Sequence, residues 1–203
     1  MKIAIEIPAL RPDTLKLTVD WVQHAEKLGC SIAFAAEAWW SDSVTPLAYL
    51  ADKTKCIMLA TGIMQTTART PAMTAMTALT LHDLTGGRFV LGLGASGPQV
   101  VEGLHGVKYN PALSRLRDTV NICRMIFRGE KVRYEGKAIT LPLPNSEGKA
   151  IRISHDPIDL PIYLATLGRI PLSTRVRWLM AGLGLHSHLI TQRPTSHSSN
   201  RAR

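Results

Sequence analysis

Gly92, Gly94 and Gly97, within GGRFVLGLGASGPQVVEG (residues 86–103), spell a literal G-x-G-x-x-G. In a strand–turn–helix unit, that spacing lets backbone amides cradle a dinucleotide pyrophosphate. Glu37 offers a second chemistry, as a site acid or as a solvated carboxylate beside a helix start. Arg69 could meet an anionic ligand or simply flank a helix cap. Ser154, His155 and Asp156 are adjacent in sequence, whereas the members of a catalytic triad converge from separate elements. His24, His105, His186 and His188 lack the nearby acids or thiols that metal-ligand spacing requires, so no metal is expected. Cys30, Cys56 and Cys123 sit far apart among apolar residues and read as buried, reduced thiols.

The elements that must position these groups alternate in type. KIAIEI (2–7), SIAFAAE (31–37), CIMLATGIM (56–64) and RFVLGLG (88–94) read as near-continuous apolar strands. Between them lie helical patterns. The first is capped at Asp13 or Thr14 and stopped by Gly29. The second has Thr45 as cap and Pro46 at its first position. The third repeats that device at Thr70 and Pro71 and stops at Gly86-Gly87. In the third, Met73, Met76 and Leu79 form a stripe expected in the core; His82 and Asp83, late in it, suit capping and packing. Strand–helix alternation of this kind means a parallel sheet covered on both faces, either doubly wound or a (β/α)8 barrel.

The glycine stretch decides between them. A dinucleotide fold places an acid about 20 residues on, at the tip of the next strand. Here that offset falls at Arg117 and Asp118, inside PALSRLRDTVNICRMIFRGE, whose apolar spacing is helical. The glycines instead allow close backbone approach at a strand's carboxyl end, where barrels keep their sites. A hairpin turn follows at Tyr134–Lys137, as an insertion, and LPIYLATLG (160–168) is a fifth core strand.

The segments AEAWWSD, TGIMQTTARTPAMTAMTALTLHDLTGGRF, LGLGASGPQVVEGLHGV, RLRDTVNICR, YEGK and LPIYLATLG together resemble the luciferase-like monooxygenase superfamily, most closely its branch that uses the deazaflavin coenzyme F420. The resemblance implies an α/β fold: about the first five strands of a TIM (β/α)8 barrel over residues 1–168, with 98–160 as a helical segment plus the hairpin. It implies an oxidoreductase transferring hydride with F420, the alternative being FMN with oxygen, and a small-molecule substrate. It places a bulge with a non-prolyl cis peptide at Gly62-Ile63. Gly62, Ile63, Gln65, Gly94, Ser96, Gly97 and Thr166 would bind the cofactor, while Glu37 and Trp39 would be catalytic and, with Asp42, follow strand two, where the family places ring-side and substrate-side groups. Trp40 would pack. Where many members carry histidine after the acid, this chain has Ala38, so a histidine donor does not carry over. Relatives are often dimers, which extends the expectation to a homodimer.

The resemblance stops at Gly168. The net charge is +9, yet residues 169–203 contribute six arginines and no acid, leaving 18 basic against 15 acidic residues before them. That segment has no strand–helix rhythm and is expected to be a disordered basic tail, the product of a frameshift near codon 168. With the later strands absent, weak coenzyme binding or none is expected of this chain. Binding of nucleic acid through the tail is the competing class, disfavoured because the tail has one tryptophan and no RNA-recognition motif. No run of about 18 apolar residues suggests a membrane span. The start, MKIAIEIPALRPD, does not read as a secretory signal. A cytoplasmic protein is expected.

Overall fold

Short runs of alanine and branched apolar residues, each closed by a proline, glycine or acid, fold here into parallel strands separated by amphipathic helices. The computed structural model describes residues 3–9, 11–165, 177–179 and 189–190. In chain order the elements are β1 (Ala4–Ile7), α1 (Leu15–Lys27), β2 (Ile32–Ala35), α2 (Val44–Ala51), β3 (Met58–Thr61), β4 (Met64–Gln65), α3 (Pro71–Leu84), β5 (Phe89–Gly94), α4 (Pro98–Val101), α5 (Ala112–Phe127), β6 (Tyr134–Glu135), β7 (Thr140–Leu141), β8 (Ile162–Ala165), β9 (Arg177–Leu179) and β10 (Leu189–Ile190). The main sheet runs β1-β2-β3-β5-β8-β9-β10, with β4 also on β5. Within this sheet every pair is parallel except β10 against β9, and β6 and β7 form a separate antiparallel pair. Strand order follows chain order, the arrangement of an α/β barrel, and lacks the reversal that defines a doubly wound sheet.

Alternation along the strands sorts the apolar residues into two layers. Ala33, Ala35, Leu59, Phe89, Leu91, Leu93, Ile162 and Leu164 join the helices in one large core. Ile32, Phe34, Met58, Ala60, Val90 and Tyr163 form a separate cluster on the opposite, concave face.

Thr70 caps α3 as expected, accepting a hydrogen bond from the Met73 amide with Pro71 at the first position. Thr45 does not cap α2. Asp42 Oδ1 accepts from the amides of Val44 at 2.8 Å and Thr45 at 2.7 Å, so the helix begins two residues earlier than the sequence suggests. The Met73 and Met76 side chains are half exposed, and of that stripe only Leu79 is buried. Thr74, Ala75 and Ala78 take the buried face, their small side chains allowing α3 to pack closely on α5. Cys56 is exposed and Cys30 half-buried; only Cys123 is buried, and burial pushes its thiol up to about 12.

Asp118 lies inside α5 and is buried. Its carboxylate accepts from Tyr134 Oη and from the amides of Ala138 and Ile139, seating the β6–β7 hairpin on the helix. Tyr134 and Glu135 are strand residues, so the reversal spans 136–139 and not 134–137. Beyond Gly168, where no element was expected, the described backbone forms β9 beside β8, Tyr163 opposite Arg177. The disorder expected of the tail otherwise falls outside the described residues.

Candidate active site at the carboxyl rim

The rim is shaped by a one-residue slip in the sheet. Ala60 stands opposite Val90, but Met64 stands opposite Leu93, so Thr61, Gly62 and Ile63 face only Leu91 and Gly92. This is a β-bulge. The Thr61 hydroxyl bridges the broken ladder, donating to the Gly92 carbonyl and accepting from the Gly92 amide, both at 2.8 Å. A Cβ on Gly92 would drive into the Thr61 carbonyl oxygen. The Gly62-Ile63 peptide is cis. Ile63 lies over Gly94: a Cβ there would stand 3.0 Å from Ile63 Cγ1. The bulge thus lays an apolar shelf across the carboxyl ends of β3 and β5.

Behind this shelf is a dense polar cluster. Arg69 Nη1 reaches Glu37 Oε1 at 2.7 Å and Oε2 at 2.8 Å. The Ser43 amide and hydroxyl each donate to Oε2 at 3.2 Å, and the Gln65 amide donates to Oε1 at 3.0 Å. The Glu37 side chain is 6% exposed and that of Arg69 19%. Five contacts from three partners hold this carboxylate, so that Glu37, expected to be catalytic, ties the β2–α2 loop to the bulge. Arg69, expected to face a ligand tail or solvent, is its counter-charge.

Gln65 is wholly buried, and its Nε2 donates to the Glu37 carbonyl at 3.0 Å. Its Oε1 meets His105 Nε2 at 3.2 Å. Asp42 sits on the same loop. Burial works to raise its carboxyl, but the Thr45 and Val44 amides, the Thr45 hydroxyl and the charge of Arg69 prevail and hold it below the usual range. Trp39 and Trp40 meet edge to face at 5.1 Å, 71% and 49% exposed, forming an aromatic wall on the loop.

After β5, Ser96 adopts φ 58°, a left-handed conformation uncommon outside glycine, and Tyr109 Oη donates to its carbonyl. Gly97 precedes the short helix α4. The expected residues Gly62, Ile63, Gln65, Gly94, Ser96 and Gly97 thus gather at one edge of the sheet; Thr166 lies outside the described residues. Sequence reasoning missed Ser43, His105, Thr66 and Thr67 as rim residues. Thr66 and Thr67 follow β4, and their buried hydroxyls have no hydrogen-bond partner. No local pattern marks them, because Glu37, Gln65, Arg69 and His105 meet only through the adjacency of β2, β4 and the segment after β5. Among the described residues, no three His, Cys, Asp or Glu side chains gather as a metal site. Nor is any helix there long and apolar enough to cross a membrane.

A parallel barrel-type sheet with a bulged, glycine-lined carboxyl rim defines an α/β barrel enzyme architecture. The family model for luciferase-like monooxygenases matches residues 3–193, and the chain belongs to that family. The match runs past Gly168, where the resemblance was expected to end. A Mycobacterium tuberculosis protein named as a coenzyme F420-dependent oxidoreductase is 39% identical over 175 residues, covering 83% of this chain and 50% of the relative. The 5,10-methylenetetrahydromethanopterin reductase of Archaeoglobus fulgidus is 29% identical over 83% of this chain and 48% of its own length. The chain therefore spans about half the length of these relatives. Among solved structures, the coenzyme F420-dependent tetrahydromethanopterin reductase of Methanopyrus kandleri superposes with TM-score 0.66 at 24% identity, covering 82% of this chain and 50% of that one. Monooxygenase RslO1 of Streptomyces bottropensis gives 0.69 at 21%, covering 82% and 54%. These structures share the fold.

Proposed function

We propose that this chain carries the amino-terminal part of an F420-dependent oxidoreductase site, acting on a small-molecule substrate in the cytoplasm. The observation that carries the reading is the bulge at 61–65, which joins an apolar shelf to buried, unpartnered hydroxyls. A flat ring with a polar edge fits that donor set: Ile63 over Gly94 would support the face, and Thr66 and Thr67 have hydroxyls available for the edge. Gly62, Gln65, Gly94, Ser96 and Gly97 would line it, with Thr166 continuing the rim, and Trp39 would wall one side. When bound, a deazaflavin supplies hydride chemistry at C5 of its ring.

The chain's own contribution is orientation and exclusion of water. Glu37 and Arg69 fix the bulge, Gln65 ties it to the β2–α2 loop, and the Trp39–Trp40 pair shields one flank. Three free cysteines fit a reducing compartment. F420 is favoured over FMN because the M. tuberculosis and A. fulgidus relatives include one named for that coenzyme and share long segments with this chain.

A fluorescence titration of the purified chain with F420 and with FMN tests this. Saturable but weak binding of F420 is expected, with FMN weaker, and a Gly94→Val substitution should abolish it by displacing Ile63. Preference for FMN, or F420 binding indifferent to that substitution, would overturn the reading.

A further inference from the structure

We propose that His105 is the proton-exchanging side chain of the rim, and that Gln65 is the positioning residue that fixes its tautomer. The inference rests on the redox reading of the rim and deepens it. The Glu37 carbonyl can only accept, so the nitrogen of the Gln65 amide must face it. The oxygen of that amide is then the atom facing His105, and it too can only accept. His105 therefore carries hydrogen on Nε2, and Nδ1 is the ring nitrogen left facing away from Gln65. Gln65 is wholly buried, and the carboxylate behind it is held by Arg69 and Ser43, so the orientation is imposed from the core outward.

The backbone of His105 is anchored as well, its amide donating to the Val100 carbonyl at the end of α4. The ring is partly exposed, and Nδ1 has no hydrogen bond to the described residues. Other titratable groups of the rim are engaged: Glu37 with Arg69, Asp42 with two amides, and Glu102 with the Tyr109 amide. The charged groups on the elements around His105 are Glu102 and Lys108 on its own segment, Arg115 on α5, and the Glu37–Arg69 pair behind Gln65. In the transfer itself, the Nδ1–H bond of the charged ring breaks and its electron pair stays on nitrogen. The proton forms a new bond to a substrate atom gaining negative charge, and the reverse step restores it. No other reactant takes part in that step.

The test is nitrogen-15 NMR of the histidine-labelled chain. In the free protein, His105 should show one tautomer, pyrrole-type Nε2 and pyridine-type Nδ1. Gln65→Met keeps the volume and removes the acceptor, so the signal should become a tautomer mixture. Gln65→Glu gives up the donor to the Glu37 carbonyl but keeps an acceptor oxygen toward His105, so hydrogen should stay on Nε2. With F420 added, Nδ1 should shift while Nε2 stays. Hydrogen on Nδ1 in the free protein, or a tautomer indifferent to Gln65→Met, overturns the proposal whatever the coenzyme does; should that variant misfold, the free-protein tautomer and the Gln65→Glu result decide alone. Absence of saturable F420 binding counts instead against the redox reading of the rim.

Discussion

The two ends of the sheet use the same kinds of side chain to opposite effect. At the amino-terminal floor, Glu26 accepts from three consecutive amides, Lys55, Cys56 and Ile57, at 2.8, 2.6 and 2.8 Å. Arg88 donates to the carbonyls of Ala51, Thr54 and Ile57 and to the Thr54 hydroxyl. Both charges are committed to main chain, and they close the turn that delivers β3. At the carboxyl rim, Glu37 and Arg69 bind chiefly each other and side chains, the chain of bonds ends in the His105 ring, and the Thr66 and Thr67 hydroxyls stay outside it, unpartnered. Floor polarity holds the fold, while rim polarity holds a geometry and leaves donors over. That division is the one barrels make between stability and chemistry.

Breaking the rim's backbone should have the largest effect. Gly92→Ala puts a Cβ into the Thr61 carbonyl oxygen, a backbone atom that the bulge fixes from both sides, so cooperative unfolding in a circular-dichroism melt should be lost. Gly97→Ala, whose nearest new neighbour is the mobile end of Gln99 at 3.4 Å, should melt within about 0.5 kcal/mol of the parent. Next is Glu37→Ala. It strands the mostly buried Arg69 and the donors of Ser43 and Gln65, and should cost about 3 kcal/mol by urea titration.

At the floor, Glu26→Ala leaves three amides without their acceptor and should cost about 1–3 kcal/mol. Burial works to raise the Glu26 carboxyl, but the Ile57, Cys56 and Lys55 amides, aided by Arg88, outweigh it, so its folded-state value is lowered. Its stabilisation is therefore present above the unfolded value, about 4.3, and is lost as pH falls through the folded one. The gap between parent and variant should close in acid.

The smallest effect is at His155, whose Nε2 pairs with Asp83 at 3.2 Å. The Asp156 carbonyl raises its value most; burial opposes it, and Asp83 adds to the rise, so the net direction is upward. That contribution is complete below the unfolded value, about 6.5, and fades as pH rises through the folded one. In proton NMR, Asp83→Asn should lower the His155 midpoint.

The sheet was legible because its signals are local. Thr70-Pro71 marks a helix start by its own chemistry, and the position of Asp118 in a helical pattern excluded the dinucleotide fold. The seating of Asp118 against the hairpin then explained why an acid belongs there. The rim was legible only as a set of glycines. Glu37 meets Arg69 across 32 residues and Gln65 across 28, and those contacts exist only once β4 has been offset by the bulge. Met73 and Met76 misled for a related reason: helical spacing defines a face but not which face a small-residue neighbour will bury. Cys56 misled because its place in an apolar run put it before, and not within, β3.

Ligand chemistry is proposed for the bulged rim and not for the amino-terminal floor. The most direct measurement is amide NMR of the chain titrated with F420, which registers even weak binding residue by residue. Shifts are expected only at Gly62–Thr67, Gly94–Gly97 and His105, with Glu26, Arg88 and His155 unmoved. Shifts centred on those floor residues would contradict this assignment.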